Sequence, residues 1–147
     1  MKRSFWIFLL VLSAGCAPKT SPESGADLYA AYCSSCHQPD GKGIRNAFPP
    51  LTESVWVQGD EGRLIRLVLR GMQGPIVVQG EPYNNVMTPH RFLSDEQVAA
   101  VLTLVRSSFG NEAPPVEAET VARVRKATPE RGLWQASELE GMLGVPK

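Results

Sequence analysis

The chain has 147 residues, with 15 basic and 15 acidic side chains and a formal charge of zero. That length fits one domain, and the even charge balance argues against nucleic acid as a partner. Three cysteines are too few for a disulfide framework, and each needs its own account.

Met1-Lys2-Arg3 is a basic start, and Phe5 to Leu12 is an apolar run too short to span a bilayer as a helix. Leu12-Ser13-Ala14-Gly15-Cys16 follows, small residues leading into a cysteine. This reads as a lipoprotein-type signal peptide over residues 1–15, with lipid on Cys16. The alternative is an ordinary cleaved signal cut near Ala17. Either reading places the protein on the periplasmic side of a bacterial membrane, lipid-anchored in the first case and soluble in the second. Residues 16–24 then form the anchor and a Pro/Ser-rich polar linker.

Gly25 to Tyr32 reads as a short helix with Leu28, Tyr29 and Tyr32 on one side. It leads into Cys33-Ser34-Ser35-Cys36-His37. Two thiols two residues apart, with a histidine directly after, can attach a haem. Each thiol adds to one porphyrin vinyl group, and the imidazole of His37 then lies under the ring to ligate iron. A thioredoxin-like redox pair lacks the following histidine. A zinc site needs further Cys or His, and only His90 remains.

Asp40-Gly41-Lys42-Gly43 is a turn signal. Phe48-Pro49-Pro50-Leu51 is extended because proline restricts itself and its predecessor. A proximal imidazole needs its second nitrogen held, usually by a carbonyl, and Pro49 is the candidate. Asp60 caps a middle helix with Leu64, Ile65, Val68 and Leu69 on its apolar side, closed by Gly71. Ile76-Val77-Val78 is a small strand, and Gln79-Gly80-Glu81-Pro82 a turn.

A sixth iron ligand is sought among the methionines. Thioether is a soft ligand that raises the reduction potential. Met87 lies in a loop rich in turn formers, Tyr83-Asn84-Asn85-Val86-Met87-Thr88-Pro89, and is favoured. Met72, at a helix end, has core filling as its ordinary role. Ligation by His90 and an open sixth site are also compatible with the residues. Trp56, Tyr83, Arg63 and Arg70 are candidates to meet haem propionates, although packing is the plainer role of each.

Ser94-Asp95-Glu96-Gln97 is a capping box. Behind it Val98, Val101, Leu102 and Val105 recur at helical spacing, and Gly110 ends the run. Pro114-Pro115 opens a C-terminal extension over residues 111–147, with helices read over Val116–Lys126 and Gln135–Leu143.

Gly25, Tyr29, the Cys33–His37 motif, Phe48-Pro49-Pro50-Leu51, Val86-Met87-Thr88-Pro89 and the run from Leu93 to Leu102 together resemble a class I monohaem cytochrome c over residues 25–110. The resemblance implies a small all-α fold wrapped around one covalent haem c. Its first and last helices cross, with Gly25 and Tyr29 against Leu102. It also supports Pro49 as carbonyl donor and Met87 as axial ligand. The family often has Met-Pro at the ligand, whereas Thr88 intervenes here. The extension is similar to those on bacterial periplasmic members that serve quinoprotein dehydrogenases, nitrite reductases or terminal oxidases.

The implied function is one-electron transfer, not catalysis. The donor is a dehydrogenase or membrane complex, the acceptor an oxidase or reductase, and the carrier a monomer. Two further classes stand beside it: a haem enzyme or gas sensor with an open sixth site, and a fixed cytochrome subunit of a dehydrogenase or oxidase complex.

Overall fold

A computed structural model of the chain describes residues 24–142. The expected signal peptide, Cys16 and nearly all of the linker lie outside the described residues. Among the described residues no helix is long and apolar enough to cross a membrane.

In chain order the elements are α1 (Gly25–Tyr32), α2 (Ser34–His37), α3 (Val55–Gln58) and α4 (Glu61–Arg70). Then come β1 (Met72–Gln73), β2 (Ile76–Val78), β3 (Glu81–Tyr83), α5 (Asp95–Ser107), α6 (Ala118–Ala127), β4 (Trp134–Gln135) and α7 (Ala136–Glu140). Of these helices, α1, α4 and α5 start where the sequence supplies caps. Ser24 and Asp27 form a capping box at α1, Asp60 accepts from the Arg63 amide at 2.7 Å to open α4, and Ser94 and Gln97 box α5. Each satisfies amides that the first helical turn leaves without partners.

The fold is mostly helical, but it is not purely all-α. β2 and β3 form an antiparallel hairpin, and β1 pairs parallel with β4. The residues read as a turn, Glu81 and Pro82, are in fact the return strand. Gln79 and Gly80 alone make the reversal, both left-handed at φ 53° and 81°. Two consecutive positive φ values match the twist that a tight hairpin needs. β1 and β4 contain two residues each, too short to leave a period-2 signal.

Two apolar clusters fill the interior. The larger joins α1, α4 and α5 through Leu28, Ile65, Val98 and Leu102, and takes in Val116, Val121 and Val124 from beyond residue 110. α1 and α5 pack directly: a Cβ on Gly25 would run into the Ala100 carbonyl oxygen. The smaller cluster joins Trp56, Leu67, Met72, Ile76, Val78 and Tyr83 to Trp134, Ala136 and Leu139. Residues 111–142 therefore lie against the helices rather than apart from them. Arg125 of α6 fastens this segment, pairing with Asp95 at 2.7 Å and donating to the carbonyls of Arg91 and Leu93.

Candidate functional site

The site grows from the end of α1. The Cys33 amide closes α1 on the Tyr29 carbonyl at 2.9 Å. α2 then turns at once, so Cys33, Cys36 and His37 all face one apolar cavity. Both thiols are free and half-buried. Burial is the main cause that pushes the Cys33 thiol up to about 11, with the Cys36 thiol adding to it. A redox-active dithiol has the opposite property, a depressed pKa, so the surroundings of Cys33 suit a thiol held for a bond and not a disulfide exchanger.

His37 is oriented by its second nitrogen. Nδ1 lies 2.9 Å from the Pro49 carbonyl oxygen, which leaves Nε2 for a ligand. Burial dominates its electrostatics and lowers its pKa from 6.5; the Pro49 hydrogen bond opposes this, and nearby His90 reinforces it. The imidazole is thus kept in the neutral form that a metal requires.

Three features bring Pro49 to this place. The Gly43 amide donates to the His37 carbonyl at 2.9 Å, and Ile44 and Phe48 exchange backbone hydrogen bonds at 2.8 Å. Gly43 has φ 65°, and a Cβ there would meet the Phe48 carbonyl oxygen and lie 2.7 Å from that of Pro49. Only glycine permits both the left-handed turn and the close approach. Asn111, buried, accepts from the Ser54 amide and donates to the carbonyls of Leu51 and Val105, and so pins the extended proline segment to the end of α5. The sequence marked Gly43 only as part of a turn, and nothing local marks Asn111.

Directly after His37, Gln38 has φ 63°, a strained region for a residue with a side chain. The Tyr29 hydroxyl donates to the Gln38 carbonyl at 2.7 Å and holds this bend. Tyr29 thus has a role at the site besides packing against α5.

Met87 lines the same cavity, as do Met72 and His90. The Met87 amide donates to the Met72 carbonyl at 2.9 Å, and the Met72 amide returns the bond to Met87 at 3.1 Å. Met72 itself is 5% exposed and packed in the smaller cluster, while Met87 remains partly buried at the cavity wall. His90 stands in a ring cluster with Tyr32 and Phe92, its amide bound to the Val68 carbonyl at 2.9 Å. Trp56 and Tyr83 also line the cavity. Arg63 and Arg70 do not. Arg63 sits over the Trp56 ring at 4.7 Å and donates to the carbonyls of Val55 and Trp56. Arg70 makes a two-pronged ion pair with Glu130, both bonds 2.8 Å.

The cavity opens to the surface and is lined almost wholly by apolar side chains. The space lies inside the protein's core, bounded by Leu28, Leu64, Leu67, Val101 and Leu102. Such a space, with paired thiols at one wall, an imidazole held by one nitrogen and a thioether on the lining, fits a flat apolar macrocycle with iron at its centre. A haem supplies one-electron chemistry at that iron.

The comparisons with known proteins agree. The family model described as cytochrome c matches residues 22–109. The chain is 37% identical to a cytochrome c-552 of Thermus thermophilus, over 95% of this chain and 98% of that protein. It is 34% identical to the fructose dehydrogenase cytochrome subunit of Gluconobacter japonicus and 36% to the gluconate 2-dehydrogenase cytochrome c subunit of Pantoea cypripedii. Those matches cover 72% and 71% of this chain but only 23% and 24% of the longer subunits. With its thiol pair and apolar cavity, the chain belongs to the cytochrome c family, electron carriers whose redox group is a covalently bound haem c.

Proposed function

We propose that Cys33 and Cys36 form the two thioether bonds to the haem, and that His37 and Met87 are its axial ligands, with the Pro49 carbonyl fixing the His37 ring. The observation that carries this reading is the Nδ1 contact of His37 with Pro49 at 2.9 Å, which frees Nε2 within the same cavity that holds both thiols and Met87. Met87 is preferred to Met72 because Met72 is a buried member of the smaller cluster, whereas Met87 is only half-buried and lies against that cluster at the cavity wall. The chain's residues hold the haem, shield it from water and leave electron entry to an exposed edge. With both axial positions taken, the reading is a carrier and not an enzyme or gas sensor. An optical spectrum of the ferric protein tests it: a red sulfur-to-iron band that disappears in Met87→Ala and persists in Met72→Leu supports the assignment, and the reverse pattern overturns it.

On the same reading Cys16 carries lipid and tethers the carrier to the periplasmic side of a bacterial membrane, as a monomer that meets its partners transiently. Eight linker residues from Ala17 to Ser24 reach at most about 30 Å at ~3.3–3.6 Å each, so the haem domain stays at high effective concentration beside membrane redox complexes. The donor is a dehydrogenase or membrane complex and the acceptor an oxidase or reductase. The match over nearly the whole length of a cytochrome c-552 favours a separate carrier over a fixed subunit. Mass spectrometry of the N-terminal peptide tests the anchor: acyl groups on Cys16 support it, and an unmodified terminus at or after Ala17 rules it out.

A further inference from the structure

The Met87 loop is held on either side of Met87, by the Asn85 side-chain amide donating to the Ala47 carbonyl at 3.0 Å and by the His90 amide donating to the Val68 carbonyl at 2.9 Å. Asn84, Asn85 and Val86 are exposed, as are Thr88 and Pro89. At Met87 itself the backbone hold is the two-way hydrogen-bond bridge to Met72. Met72 is therefore the residue that fixes the Met87 backbone between those two holds. It belongs to β1, a strand of two residues, whose sheet partner is β4 from the C-terminal extension, with Met72 opposite Trp134. The Trp134 amide donates to the Gly71 carbonyl at 3.1 Å, and the Trp134 side chain packs in the same cluster as Met72.

Two further contacts tighten this layering. Gly71 has φ 67°, and a Cβ there would strike the Met87 carbonyl oxygen and lie 2.9 Å from the Leu133 Cδ2 atom. Gly71 is thus a thin layer between the ligand loop and the extension. One residue earlier, Arg70 takes Glu130 in the two-pronged pair, which anchors the start of the strap to the end of α4.

We infer that residues 130–135 of the C-terminal extension are a strap that positions the Met87 thioether, acting through Met72, and so set how readily an outside ligand displaces it. The chain of contacts runs from Glu130 and Trp134 to Arg70, Gly71 and Met72, and from Met72 to Met87. The inference rests on Met87 being the axial ligand. A strap of this kind keeps the sixth site closed without a rigid ligand loop, so the protein transfers electrons and does not bind small molecules at iron.

The test is imidazole binding to the ferric holoprotein, followed by loss of the sulfur-to-iron band. Two strap variants are compared with wild type: a chain ending at Thr128, and Glu130→Gln. Val121→Ala, a buried α6 substitution in the larger cluster away from the strap, serves as a control for general loss of stability. Loss of one such hydrogen bond weakens a hold by a factor of about two to ten, so each strap variant should bind imidazole about two- to tenfold more tightly. Val121→Ala should lower the melting temperature and leave imidazole affinity unchanged. The inference is overturned if the strap variants melt earlier but bind imidazole as wild type does, or if Val121→Ala shifts affinity as much as they do. If the truncated chain fails to mature, Glu130→Gln alone decides. Met87→Ala separates the two readings: a band that survives it refutes the ligand assignment, whereas a band lost in it and unmoved by strap variants refutes only the strap.

Discussion

At the residue scale the proposed axial pair, His37 and Met87, would set the electronic character of the iron. Imidazole donates more strongly to Fe(III) than thioether does, so Met87→His should preserve the fold and lower the reduction potential. The fall should be on the order of 0.1 V, within the ~0.8 V span that axial ligands cover; a redox titration measures it. His37 determines the acid limit. Its folded pKa lies below 6.5, so the unfolded chain takes up the proton more readily than the folded one. Stability from the neutral ring is fully present above 6.5 and is lost as pH falls through the lower folded value. The haem absorption spectrum should therefore stay constant as pH drops past the ordinary histidine range, and collapse only below it. A transition centred at that ordinary value would show that His37 is neither buried nor ligated.

At the element scale the turn between α2 and the proline segment is the vulnerable joint. Gly43→Ala forces a side chain into the left-handed region and against the carbonyls of Phe48 and Pro49. The expected loss is about 1–3 kcal/mol of stability, with a shifted reduction potential because the Pro49 hydrogen bond to His37 loosens. Thermal melting and a redox titration read the two effects separately. Much at this scale was legible from residue types alone. Asp60, Ser94 and Gly71 mark helix ends by chemistry that acts within one turn, and the structure has them there. β1, β3 and β4 were not legible, because strands of two or three residues exist only when a partner from a distant part of the chain supplies their hydrogen bonds.

At the scale of the whole molecule the cavity is the main fact. It occupies the centre of the apolar core, so without haem the side chains around it have no common surface to pack on. The Cys33→Ala, Cys36→Ala double variant should leave a haem-free chain that is largely unfolded, since the cavity-lining side chains, drawn from both apolar clusters, lose the surface they share. Circular dichroism should show helix loss and no cooperative melt. A well-dispersed NMR spectrum would contradict this.

The sequence by itself determined the redox group, because covalent haem attachment requires reactive side chains at fixed short spacing, and Cys33, Cys36 and His37 satisfy that within five residues. It also marked Pro49 and Met87 as candidates from their local chemistry and a family resemblance. Tertiary structure alone decided where the extension goes. Read along the chain, Pro114-Pro115 looks like a departure from the domain. Folded, Val116, Val121 and Val124 complete one apolar cluster, and Trp134 and Leu139 the other. The pairing of Met72 with both Met87 and β4 was equally invisible. Its hydrogen bonds are made by backbone groups, which every residue carries alike, so no residue type announces them; only the packing of segments far apart in sequence brings those groups together.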